Sequence, residues 1–144
     1  MDPLSVMASV VGLLSAAAEV SKILTSVASR LRDAPAQMHS TLSEVNSIRA
    51  ALISLHKFLL RVADTPSPRA AYIELDQLIA TLTDAVMTFS DLEALIKPLS
   101  LAQGSDNLQA RVKLVWRESS ITATLRRLQD HKSSLSLMLN IIQW

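Results

Sequence analysis

Three histidines (His39, His56 and His131), thirteen acidic residues and many serines are the side chains of this 144-residue chain that could do chemistry. A metal site needs ligands at converging positions, such as two histidines one helical turn apart or histidine with cysteine. The three histidines lie far apart, none is paired at helical spacing, and there is no cysteine. Nucleophilic catalysis by serine would show a GxSxG elbow, which is not present, and nothing in the sequence supports a serine, histidine and acid triad assembled from scattered bundle residues. Two glycines, Gly12 and Gly104, cannot build a glycine-rich phosphate loop. Basic residues are not interleaved with the five aromatics, so no nucleic-acid partner is expected. The residues therefore predict no catalytic, cofactor-binding or metal-binding site and a protein that is not an enzyme.

The informative chemistry is hydrophobic and lies at the N-terminus. Residues 1–29 carry only Asp2, Glu19 and Lys22 as charges, and the run from Pro3 to Ala18, PLSVMASVVGLLSAAA, carries none. A helix apolar nearly all round is buried, inserted in lipid, or moved between the two. Leu4, Val6, Met7, Val10, Val11, Leu13 and Leu14 are the candidate membrane-inserting residues. Ala8, Gly12 and Ala16 form a ridge of small residues at four-residue spacing that permits close helix contact in an oligomer. Glu19 and Lys22, three residues apart, can neutralise each other or line a polar lumen. A secretion signal would begin with basic residues rather than Met-Asp-Pro. The uncharged run, at about 24 Å of helix, falls short of the roughly 30 Å hydrocarbon core. On composition alone, burial in a bundle and conditional insertion fit this helix equally.

The remaining chain must hold that helix. Gly and aromatics are scarce while Leu, Ala and Ser dominate, which favours helices over sheet. The expected fold is all-α, a four- to five-helix up-and-down bundle with a long apolar N-terminal helix, in one domain spanning residues 1–144. Helix 1 is expected to run from Pro3 to about Arg32, with Arg30 and Arg32 against its own C-terminal dipole. Helix 2 starts at Pro35 and carries Met38, Leu42, Val45, Ile48, Leu52, Leu55, Leu59 and Val62 on one face. Helix 3, from near Arg69, carries Leu75, Leu78, Leu82, Ala85, Phe89, Leu92 and Ile96 until Pro98 kinks or stops it. Residues 102–107 read as a loop, with Asp106 or Asn107 as the next cap.

Helix 4 is expected to run to the end, with a break near Glu118-Ser119-Ser120 that starts a heptad of Ile121, Leu125, Leu128, Lys132, Leu135, Leu139 and Ile142. Lys132 there either snorkels or reaches a carboxylate on helix 3. Net charge alternates along the chain: −1 over residues 1–29, +3 over 30–63, −5 over 64–106 and +4 over 107–144. That alternation predicts charge pairing between neighbouring helices, or a basic face suited to anionic lipid. The absence of cysteine fits a cytoplasmic setting. The pattern stops mid-heptad at Trp144, as expected for the N-terminal part of a longer protein.

The opening MDPLSVMASVVGLLSAAAEVSKIL resembles the N-terminal domain of fungal STAND proteins, the NLR-like receptors of filamentous fungi, and the similar HeLo-like domains. Trp116-Arg117-Glu118, followed by Ile121, Leu125, Leu128 and the stretch His131-Lys132-Ser133-Ser134-Leu135-Ser136-Leu137, is similar to that family's late helix. The resemblance implies a bundle ahead of a C-terminal nucleotide-binding module, acting in regulated cell death or heterokaryon incompatibility. It further implies homo-oligomerisation on activation, release of helix 1, contact with anionic membrane lipids, and recruitment from the cytoplasm to the plasma membrane. The alternative from a different class is a cytosolic adaptor bundle that oligomerises or binds partner helices without entering lipid.

Overall fold

The computed structural model describes the backbone of residues 3–64, 75–102 and 104–143, and the side chains of these except 3, 4, 62–64, 75, 76, 105, 106 and 141–143. The expectations for Leu4, Val62, Arg69, Leu75, Ile142 and Trp144 thus lie outside the described side chains. Five helices follow one another: α1 (Pro3–Ser29), α2 (Ala36–Asp64), α3 (Leu75–Ser100), α4 (Ser105–Arg117) and α5 (Ser119–Gln143). Among the described residues there is no strand. The fold is an all-α bundle.

Each boundary has a local cause. α1 stops at Ser29, three residues before the expected Arg32, because the last amides tighten: Arg30 N bonds to Val27 O at 3.1 Å and Leu31 N to Ala28 O at 3.2 Å. The turn that follows ends at Pro35, whose ring disfavours helix in the preceding residue. Pro35 then offers its carbonyl to Met38 N at 3.0 Å, opening α2. α3 accommodates Pro98 inside its last turn and ends two residues later at Ser100. α4 begins earlier than expected, at Ser105, with Gly104 in the cap position at φ +85°. Asp106 and Asn107 therefore sit within the helix instead of capping it. The expected break before α5 is present: Glu118 is extended, at φ −73° and ψ 145°, and separates α4 from α5.

α1 packs against α2 and α3, and α5 packs against the same two helices from the opposite side. α1 and α5 thus occupy opposite corners of the bundle. Chain directions follow from the cross-links. Arg30 at the end of α1 meets the end of α3, so these two run in the same direction. Arg127 pairs with Asp91 and His131 with Asp84, so α5 runs opposite to α3. α4 lies across one end of the bundle, with Gln109 Nε2 donating to Asp33 O at 2.9 Å and Trp116 Nε1 to Thr41 Oγ1 at 3.3 Å. Leu108 and Val112 pin α4 to the core.

Leucine, valine, isoleucine and phenylalanine fill the interior at three- and four-residue spacing. Met38, Val45, Ile48, Leu52, Leu55 and Leu59 of α2 and Leu78, Leu82, Ala85, Phe89, Leu92 and Ile96 of α3 are buried, as their periodicity predicts, with Leu42 packed at the margin. Each buried Leu, Ile, Val or Phe contributes about 1.5–3 kcal/mol relative to exposure.

Candidate functional site

Within α1, position along the helical face decides the environment of each singled-out residue. Val6, Val10 and Leu13 are fully buried and continue through Ala17, Val20, Leu24 and Val27 as the inward face. Met7, Leu14 and Ala16 are half-buried at the margins, while Ala8 and Gly12 are exposed. Val11 is 49% exposed. Glu19 and Lys22 both face solvent, which removes the need for mutual neutralisation in this state. The helix is therefore not apolar all round. Its outward side from Ser5 to Ala18 combines Ser5, Ala8, Ser9, Gly12, Ser15 and Ala18 with Val11, a face of small uncharged residues.

One feature of α1 differs from expectation. Counted through Glu19 and Lys22, the stretch Ser5–Ser29 is long and apolar enough to cross a membrane, because the helix continues well beyond the uncharged run, so the estimate of a span too short is corrected. Only a third of its most apolar eighteen-residue window is buried. The ridge of small residues, moreover, is not consumed by packing inside the bundle. A Cβ placed on Gly12 would meet no atom within 4 Å, and an open groove beside it is lined by Gly12, Leu13 and Ala16 of α1 with Leu82, Thr83 and Val86 of α3.

From Val6 onward, the polar attachments of this helix and the turn after it fall in the C-terminal part. Ser21 Oγ donates to Asn46 Oδ1 at 3.2 Å. Arg30 extends to the carbonyls of Ser100, at 3.5 Å, and Ala102, so it caps the end of α3 and not its own helix. Among the described residues, no side chain from Val6 to Val20 forms a hydrogen bond or ion pair with another helix. From Val6 to Val20 the helix is held to its neighbours by apolar contact.

The opposite corner is tied differently. Arg127 of α5 bonds Asp91 at 2.8 Å and approaches Asp84 at 3.9 Å. His131, a core position 5% exposed, faces Thr88 Oγ1 at 2.9 Å and Asp84 Oδ2 at 3.7 Å. The Thr88 hydroxyl donates its one proton to Asp84 O at 3.0 Å, so it accepts from His131 Nε2–H. Burial lowers the His131 pKa below its ordinary 6.5, and the Asp84 carboxylate opposes part of that shift. Lys132 Nζ stands 3.0 Å from Glu44 Oε2 and 3.2 Å from Oε1. The lysine thus reaches a carboxylate on α2, not on α3 as expected.

Comparison with protein-family models, curated proteins and solved structures returns no match. The site is accordingly read from its own geometry. Among the described residues no three His, Asp or Glu side chains converge as a metal site. Periodicity missed His131, Thr124, Thr88 and Thr41 as interior residues because it counts only apolar types. The signal was nevertheless in the spacing, since Thr124, Leu128, His131 and Leu135 follow one another at four, three and four residues.

Proposed function

We propose that this domain is a non-enzymatic signalling module that self-associates and, on doing so, presents the N-terminal half of α1 to a membrane. The observation that carries the reading is the attachment of that half. It is long and apolar as part of α1, neutral on its outward face from Ser5 to Ala18, and without a polar bond to another helix from Val6 to Val20. Leaving the bundle breaks no buried hydrogen bond in this segment. Burial of Val6, Val10, Leu13 and Ala17 against α2 and α3 is exchanged for burial in lipid, so the two states can lie within a few kcal/mol of each other. In this proposal Glu19 and Lys22 stay near the interface, and Ala8, Gly12 and Ala16 form the helix contact between copies. The resemblance to fungal STAND N-terminal domains extends the proposal to a cytoplasmic receptor with a C-terminal nucleotide-binding module, recruited to the plasma membrane in regulated cell death or heterokaryon incompatibility.

The outward face allows a test that spares the bundle. Val11→Glu with Ser15→Glu places two charges on exposed positions, so folding is retained while insertion of the helix is blocked. The oligomerised domain is expected to release dye from anionic liposomes, and the double variant to lose that activity with unchanged circular dichroism. Leakage that persists in the variant, or none from the parent, rejects the proposal.

Complete burial of Val10 and Leu13 favours a second reading, a soluble adaptor that binds a partner helix without opening. It predicts an oligomer that stays in the supernatant when vesicles are pelleted.

A further inference from the structure

The end of the bundle crossed by α4 gathers cations around exposed leucines. Arg111, Lys113 and Arg117 point outward from α4 on either side of Leu114, which is 62% exposed, and Asp106 is the one acid in that helix's sequence. The same end carries Leu101, 76% exposed after the last turn of α3, together with exposed Lys97 and Arg32. Among the described residues none of these five cations is ion-paired, whereas Arg127 and Lys132 farther along the bundle are. Among the described residues the exposed acids here are Asp33, whose carbonyl accepts from Gln109, and Glu118 at the α4–α5 break.

Nucleic acid would match the charge but not the leucines, and among the described residues no exposed aromatic offers a stacking platform. Cations surrounding protruding aliphatic side chains instead match a surface that is anionic outside and hydrocarbon beneath. We infer that this end is a docking surface for an anionic lipid bilayer, in which Arg32, Lys97, Arg111, Lys113 and Arg117 meet headgroups and Leu101 and Leu114 enter the interface. The inference rests on the membrane-directed reading above for its choice of partner, but docking is separable from release of α1. Arg30 fixes the C-terminal end of α1 at this same end of the bundle, so docking brings the fixed end of that helix toward the bilayer.

The test is co-sedimentation of the full chain with phosphatidylcholine vesicles, with and without phosphatidylserine, at low and high salt. Binding is expected only with phosphatidylserine and is weakened by salt. Arg111→Glu with Lys113→Glu and Arg117→Glu is expected to lower the partition coefficient at least roughly ten-fold, given the contribution of each basic residue at an anionic surface. Leu101→Ser with Leu114→Ser lowers it by a smaller factor and leaves the salt dependence intact. A control with equal charge change at the far end of the bundle, Lys57→Glu with Arg61→Glu, Ser136→Glu and Asn140→Glu, retains binding. Circular dichroism establishes that each variant is folded, and Arg111→Gln with Lys113→Gln and Arg117→Gln replaces the reversal if it is not. Equal loss in the control, unchanged binding in the α4 variants, or binding to DNA with none to vesicles overturns the assignment. Failure of the Val11→Glu, Ser15→Glu leakage test with retained sedimentation would count against α1 insertion alone.

Discussion

The two corner helices, α1 and α5, pack against the same neighbours with different chemistry. α5 brings Arg127, His131 and Lys132 to bear on Asp84, Thr88 and Asp91 of α3 and on Glu44 of α2. α1 brings to the same two helices a stripe of Val, Leu and Ala that from Val6 to Val20 makes no polar bond to them, with Ser21 bonded to Asn46 beyond it. Apolar contact is non-directional, while the α5 bonds have fixed partners and geometry. A helix held only by apolar contact can exchange one apolar environment for another. A helix held by buried hydrogen bonds leaves unsatisfied groups behind. The bundle thus combines a corner cross-linked by polar bonds with one that is packed, from Val6 to Val20, by apolar contact.

The largest expected effect that sharpens this contrast comes from core truncation. Leu13→Ala and Leu128→Ala, both at fully buried positions, should each cost about 2–5 kcal/mol. Denaturation should remain one transition for Leu128→Ala, whereas Leu13→Ala should also raise protease cleavage within α1 under native conditions. Next is Thr88→Val, which leaves His131 Nε2–H without its acceptor and should cost about 1–3 kcal/mol by urea denaturation. The counterpart on α1, Ser21→Ala, removes a part-buried bond and should cost only about 0.5–1 kcal/mol.

The pH response of the cross-linked corner follows from His131. Its folded pKa lies below the unfolded 6.5, so the unfolded chain binds the proton more readily. Stability from this group is complete above 6.5 and declines as pH falls through 6.5 and on through the lower folded pKa. Urea midpoints should therefore drop on acidification, and the part of the slope due to this residue should vanish in His131→Gln. Smallest is Arg127→Gln, whose partners are more than half exposed. It should cost less than about 1 kcal/mol, with the difference reduced in high salt.

The contrast between corners was only partly legible in the sequence. The apolar stripes of α2 and α3 follow from spacing, because burial there is carried by leucine, isoleucine, valine and phenylalanine. The heptad proposed for α5 placed Lys132 on the seam, yet the neighbouring His131 occupies the interior. Only the arrival of Thr88 and Asp84 from α3 makes a buried imidazole tolerable, and that meeting joins residues more than forty positions apart in sequence. In α1 the sequence shows a scarcity of charge but not which side is turned inward. Small residues fill the outward face, so every side of the helix reads as apolar until its neighbours are placed.

The central claim is that the N-terminal half of α1 opens independently of the rest of the bundle, and native-state hydrogen exchange measures this most directly. Amides of residues 10–20 are expected to exchange through a sub-global opening of lower free energy than global unfolding, while amides of 124–135 exchange only with global unfolding. Equal opening free energies for the two segments, both matching global stability, would contradict the account.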